Sequence, residues 1–224
     1  MIYLTSSTPV LLVLFSYFYL TNMYEIIMKS LQKHINERLQ LNKDRVQHKI
    51  IVNNIKELQD LIQERYKTRN LNECVDFNDI DVSHVNNFRY AFYGTDFKQI
   101  DISSWDVSQA EDMTYMFERL KNLVSIGDIS RWDVSQVKTF VGMFDNCNIL
   151  ESIGDLSDWN VSQAESFYRM FNQCEKLKDI GDLSSWNVQN CRDFSFMFNG
   201  CRCLKYPNDN KWKKNPHALI SYMW

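Results

Sequence analysis

Every 27 residues through the second half of the chain, a tryptophan opens nearly the same phrase: WDVSQAEDMTYMF at Trp105, WDVSQVKTFVGMF at Trp132, WNVSQAESFYRMF at Trp159 and WNVQNCRDFSFMF at Trp186. A divergent copy, IDVSHVNNFRYAF, precedes them by 25 residues, with Ile80 in place of the tryptophan. A unit this short cannot enclose a core alone and must bury its apolar face on the next copy, so a fixed period constrains the fold more tightly than composition does. The expected architecture is a repeat solenoid with short stacked parallel strands, preceded by an α-helical N-terminal segment.

Counting from each tryptophan, position +2 is Val82, Val107, Val134, Val161 and Val188, and position +12 is Phe92, Phe117, Phe144, Phe171 and Phe198. Position +8 is Phe88, Met113, Phe140, Phe167 and Phe194, and position +5 is Val85, Ala110, Val137, Ala164 and Cys191. Columns that stay apolar and keep their size class are what stacked units require of inward positions. Three residues past the phenylalanine stand Cys147, Cys174 and Cys201, with Leu120 in the unit of Trp105, so the thiols read as small hydrophobes in a packing column. The text LxxIGDLS that follows is read as the strand of the unit and its exit turn, with Ile102, Ile129, Leu156 and Leu183 closing each unit on the core.

With 224 residues, 45% of them apolar, a real core is available. Six Gly and three Pro are few for so many turns, which leaves Asn, Asp and Ser to build them. Charge is uneven although the net is only −3: residues 29–72 carry ten Lys or Arg against five acids, whereas residues 74–206 carry twelve against twenty. An acidic array is a poor partner for phosphate backbones, so nucleic acid is excluded as a partner.

Four segments follow. Residues 1–27 form an apolar leader or membrane segment whose run Val10–Leu20 is short of the roughly 20 residues a span needs. The alternatives are membrane association through residues 2–28, a packed helix, or a true start at Met23 or Met28 instead of Met1. Residues 28–75 read as a basic helical N-terminal cap: a first helix over SLQKHINERLQL, a β-prone HKIIVN, then Asn54 and Glu57 as a capping box before IKELQDLIQERY. Ile55, Leu58, Ile62 and Tyr66 would line the buried face of that second helix, with Leu61 at its edge. Residues 76–206 make about five coils (80–104, 105–131, 132–158, 159–185, 186–206), and 207–224 a C-terminal cap or tail.

Candidate chemistry is sparse. Cys201 and Cys203 make a lone CxC, short of the paired spacings zinc needs, and the column cysteines read as buried free thiols in a reducing setting. Asp101, Asp128, Asp155 and Asp182, with Asp81, Asp106, Asp133, Asn160 and Asn187, read as turn-capping columns, since Asp exchanges with Asn. Serines that recur in every unit are not singular nucleophiles, no phosphate loop is present, and so no catalytic residue, metal site or cofactor is expected. Trp105, Trp132, Trp159 and Trp186 leave two readings open, packing at a corner of each unit or a row of ligand contacts.

The pattern WDVSxVxxMxxMFxxCxxLxxI over residues 76–206 resembles the BspA-like leucine-rich repeat proteins, in the variant first noted in mycoplasma lipoproteins. The run NDIDVS after ELQDLIQERY, with MKSLQKHINERL at Met28, resembles versions found in gut bacteria and their phages. The resemblance implies a leucine-rich-repeat-like solenoid and a surface protein of adhesion or protein-binding type, although no lipobox cysteine follows the leader and no wall-anchoring tail ends the sequence.

The expected function is therefore a non-enzymatic repeat scaffold that binds a protein or glycan partner. The alternative is a structural or assembly component, virion-associated or self-associating. Localisation is left between a reducing intracellular or virion-associated setting and the bacterial cell surface.

Overall fold

The computed structural model describes residues 28–33, 49–70 and 73–204. The apolar leader, most of the first basic helix and the tail 207–224 lie outside the described residues, and with them the membrane, start-site and C-terminal-cap readings. The chain divides into two units, Met1–Lys49 and Ile50–Trp224. In the first, residues 28–33 are helical; everything below concerns the second.

The second unit opens with strand β1 (Ile50–Ile51) and helix α1 (Ile55–Thr68). The helix begins where its cap chemistry requires. Asn54 Oδ1 accepts from Glu57 N at 3.0 Å, and the Glu57 carboxylate accepts in return from Asn54 Nδ2 at 2.9 Å and Asn53 N at 2.8 Å. Leu58 and Ile62 are buried, with Ile55, Leu61 and Tyr66 packed at the margin. Arg65 anchors the helix by a two-pronged ion pair to Asp79, at 2.7 and 2.8 Å.

Three short strands follow: β2 (Val75–Asp76), β3 (Ile80–Asp81) and β4 (Ile100–Asp101). β1 pairs with β3 and β2 with β4, both in parallel, with Ile50 opposite Ile80 and Val75 opposite Ile100. Further along, parallel pairing continues as single-residue bridges in two lines. One joins Gln99, Ser125 and Ser152; the other joins Asn87, Asp112, Thr139, Ser166 and Asp193. The first line lies in the segment read as a strand and is shorter than a strand. The second runs through the tryptophan phrase, where the sequence pattern predicts none. Every bridge joins corresponding positions of neighbouring units, which makes this a repeat-type fold.

Pairing stops at single bridges because the residues at positions +10 and +14 leave the extended conformation. Position +10 is left-handed in all five units: Tyr90 (φ 56°), Tyr115 (55°), Gly142 (57°), Arg169 (57°) and Phe196 (60°). Position +14 is left-handed too, at Gly94 (75°), Arg119 (62°), Asn146 (61°), Gln173 (59°) and Gly200 (79°). Only three of these ten residues are glycine, so seven carry the Cβ strain of that region.

Hydrogen bonding explains why the strain is tolerated. N–H groups at the even positions donate to the next unit: Phe117 to Met143 O and Phe144 to Met170 O at 2.9 Å, Arg119 to Asp145 O and Asn146 to Asn172 O at 2.8 Å. N–H groups at the odd positions close turns within the unit, as Met143 to Phe140 O at 3.1 Å and Asp145 to Gly142 O at 3.0 Å. The N–H at +9 is taken by its own unit's +7 side chain: Thr114 by Asp112, Val141 by Thr139, Tyr168 by Ser166 and Ser195 by Asp193. In the three middle units, over 113–119, 140–146 and 167–173, each backbone donor of the run thus has an acceptor, a condition that buried backbone must meet.

Inside this frame the apolar columns stack ring on ring. The +12 phenylalanines lie 5.0 to 5.7 Å apart from Phe92 to Phe198, with nearly parallel planes from Phe117 onward. Phe140, Phe167 and Phe194 stack at 5.4 and 5.6 Å. These separations slightly exceed the strand spacing of about 4.8 Å, the repeat distance that the backbone ladder imposes.

The cysteine column does more than pack. Cys147, Cys174 and Cys201 each donate Sγ–H to the preceding unit's phenylalanine carbonyl, Phe117, Phe144 and Phe171, at 3.1, 3.1 and 2.9 Å. Leu120 has no such donor to offer Phe92 O, and there the hydroxyl of Thr95, the same column one unit earlier, donates instead at 2.7 Å. Leu therefore replaces Cys without leaving that carbonyl short of a donor.

Candidate functional site

The four tryptophans are core. Trp105, Trp132, Trp159 and Trp186 are between 1 and 4% exposed, and Phe140 and Phe167 stack on Trp159 and Trp186 at 5.8 and 5.3 Å. Three indoles also donate Nε1–H to a backbone carbonyl 28 or 30 residues earlier: Trp105 to Phe77 at 2.9 Å, Trp159 to Ile129 at 3.2 Å and Trp186 to Leu156 at 2.9 Å. Trp132 Nε1 is buried without an acceptor. Of the two readings of this column, burial decides for packing and against a row of ligand contacts, since no ring face is open to a ligand.

The repeated Asp and Asn side chains cap turns. Asp101, Asp128, Asp155 and Asp182 accept from the N–H two residues on, as do Asp81, Asp106, Asp133, Asn160 and Asn187. Hydrogen bonding from Ser157 holds Asp155 below the usual carboxylate range. The column thiols move the other way: burial pushes Cys201 up to about 12 and Cys147 higher still, which keeps both as inert thiols. Among the described residues no three His, Cys, Asp or Glu side chains converge as a metal site, and no helix is long and apolar enough to cross a membrane.

What varies from unit to unit lies on the outer side of the turn ladder, at positions +9, +10 and +13. Here the left-handed backbone of +10 turns side chains outward. Tyr90 and Tyr115 stack at 5.2 Å with planes 12° apart, and Tyr93 meets Tyr90 edge-on at 5.6 Å. The Arg89 guanidinium lies 5.1 Å from the Tyr90 ring and 6.0 Å from Tyr115, within cation–π range. Gly142 comes next, and the Tyr115 ring occupies the space a side chain there would need. In the unit after Gly142, Arg169 lies over Tyr168 and Phe196, at 5.2 and 5.4 Å, with its Nε buried and without an acceptor.

Beside the rings runs a chain of side-chain amides at position +13. Asn199 Nδ2 donates to Asn172 Oδ1 at 2.7 Å, and Asn172 Nδ2 to Asp145 Oδ1 at 2.6 Å. Asp145 is buried, and burial raises its pKa against the opposing pull of the Asn172 hydrogen bond and the charges of Arg169 and Arg119. At the end nearest α1 the strip opens into a cleft of about 730 Å³, with Gln59 and Gln63 on its helix wall and Tyr90, Tyr93 and Glu118 opposite.

Clustered Tyr and Arg side chains on a rigid backbone are the composition of recognition surfaces, and nothing in the strip pairs a nucleophile with a base. Sequence columns missed the strip because they reward recurrence, and these residues do not recur. The available signal was an unbranched residue or glycine at +10 in every unit, compatible with positive φ.

A family model described as "Mycoplasma protein of unknown function, DUF285" matches residues 29–125, 59–179 and 121–224. No curated protein and no solved structure matches the chain.

Proposed function

The chain belongs to this family of mycoplasma-type repeat proteins, and from that premise we propose that it is a non-enzymatic binding scaffold which engages a protein or glycan through the aromatic and arginine strip. One observation carries the reading: the backbone repeats unit by unit, yet at +9, +10 and +13 it displays Arg89, Tyr90, Tyr93, Tyr115, Tyr168 and Phe196, a set that serves no repeating structural need. Conserving the frame while varying its outer face is how stacked-repeat proteins build binding surfaces. In this reading the stacked units form a leucine-rich-repeat-like solenoid of adhesion type. The version found in gut bacteria and their phages remains part of the proposal through NDIDVS and MKSLQKHINERL.

The test is capture of partners from the native host with the full chain and with an Arg89→Ala/Tyr168→Ala variant, neither position being left-handed. A partner retained by the variant would sink the strip as the binding face. Light-scattering mass at two concentrations addresses the alternative: growth of the particle without any partner would make the protein an assembly component.

A further inference from the structure

We infer that the cleft at the α1 end of the strip is a binding site for a short neutral oligosaccharide. This deepens the binding-scaffold reading and rests on it.

Size comes first. The cleft, at about 730 Å³, falls within the roughly 300–1,000 Å³ typical of small-ligand sites. Its one large open ring is Tyr93, 60% exposed, held edge-on against the half-buried Tyr90. A tyrosine face is electron-rich, and the C–H faces of a pyranose complement it.

The polar lining fits hydroxyl groups, each of which donates and accepts. Gln59 and Gln63 spend their Nε2–H on Tyr90 O and Tyr93 O, at 3.1 and 3.0 Å, which fixes both amides and aligns their oxygens as acceptors. Charges in the lining cancel: Lys56 pairs with Asp60 on α1, and Arg119 with Glu118 at 3.3 Å on the repeat side. A balanced site offers no net attraction to a phosphate, a sulfated glycan or a basic peptide.

A neutral peptide is the remaining competitor, and the cleft suits it less. Peptides added to a strand edge use free main-chain groups and pockets for apolar side chains. Here Gln63 already occupies Tyr93 O, the carbonyl equivalent to those that later units offer to their neighbours, and no aliphatic residue lines the cleft.

The experiment uses the full chain on a printed array of neutral hexose and N-acetylhexosamine oligosaccharides, with sulfated and sialylated glycans and neutral peptides alongside. Binding is expected on neutral glycans, weakened about tenfold by Tyr93→Ala, the change expected for losing one well-placed aromatic contact. Asp60→Ala should weaken it as well. Both residues are exposed, so melting temperatures should match the parent protein. Glycan binding that survives Tyr93→Ala and fails in Arg89→Ala/Tyr168→Ala overturns the cleft and leaves the scaffold reading standing. An array on which only charged glycans or only peptides bind overturns the saccharide assignment. An empty array together with no strip-dependent partner overturns both.

Discussion

Phe144 and Asp145 are consecutive residues on one backbone, and they belong to different worlds. Phe144 is one of five phenylalanines in register, stacked 5.1 Å from Phe117 and 5.5 Å from Phe171. Asp145 stands where other units carry Tyr93, Glu118, Asn172 and Asn199, and its carboxylate ends an amide chain found nowhere else in the array. The inner side of the ladder repeats in chemistry as well as in geometry; the outer side repeats in geometry alone. Stacking at about 5 Å demands like beside like in the core, because a mismatched volume leaves a void or a clash. On the outer side the varied groups, from the exposed Tyr93 to the buried Asp145, meet hydrogen-bonding partners or ring faces of their own, so the frame carries side chains that do not match from unit to unit.

Attacking the inner side should have the largest effect. Trp159→Ala removes an indole packed on Phe140 and Trp186 and hydrogen-bonded to Ile129 O, and about 3–5 kcal/mol of unfolding free energy should be lost in urea titration. A near-parental midpoint would mean that the core does not depend on ring stacking. Thr95→Val should cost about 0.5–1.5 kcal/mol by removing the hydroxyl donor from the buried Phe92 O, which keeps the Thr95 N–H. Adding Leu120→Cys restores a thiol at the position from which Cys147 reaches Phe117 O, and recovery of stability is expected. If the pair is merely additive, the donor exchange is wrong.

Gly142 tests where inner and outer sides meet. Its φ of 57° is shared by tyrosine and arginine in other units, so the backbone itself accepts a side chain. The obstacle is the Tyr115 ring. Gly142→Ala is expected to lose about 1–3 kcal/mol by overpacking, and Tyr115→Ala in the same chain should relieve it; an undiminished loss would locate the strain in the backbone.

Asp145 brings a pH dependence of defined sign. Its folded pKa is raised by burial, so between the ordinary carboxylate value and the folded one the native state holds more protons than the unfolded chain. Stability from this group is therefore present below the unfolded pKa and declines as pH rises through the folded one. Asp145→Asn keeps an acceptor for Asn172 and should remove that decline, leaving the variant at least as stable as the parent at neutral pH. A steeper fall for the variant, followed by thermal melts across the acid range, would contradict burial as the cause. Smallest of all is Tyr93→Ala, expected to shift stability by less than about 0.5 kcal/mol because the ring is largely exposed. A large loss there would return Tyr93 to the inner class.

Much of the frame was readable in residues. Recurrence marked the Val and Phe columns as inward, Asn54 with Glu57 located the start of α1, and Asp-to-Asn exchange marked the turn caps. The candidate site was harder to read. Left-handed backbone is normally signalled by glycine, and here Tyr90, Tyr115, Arg169 and Phe196 hold that conformation within the bond pattern of the frame: each carbonyl accepts from the +13 N–H of its own unit, and the N–H groups of Tyr90, Tyr115 and Arg169 donate to the next unit. The bridge line through Asn87, Asp112, Thr139, Ser166 and Asp193 escaped for a similar reason: a single extended residue between turns leaves no alternating pattern.

The sequence by itself determined the period, the members of the core and the residues that cap the turns, because each of these must recur wherever the unit recurs. Only the tertiary structure decided that the tryptophans are closed to ligands, that a thiol and a threonine hydroxyl do the same work in one column, and which varied residues share a face. Those facts depend on which unit lies against which and on the sense of each backbone turn, and neither is a property of one unit's text.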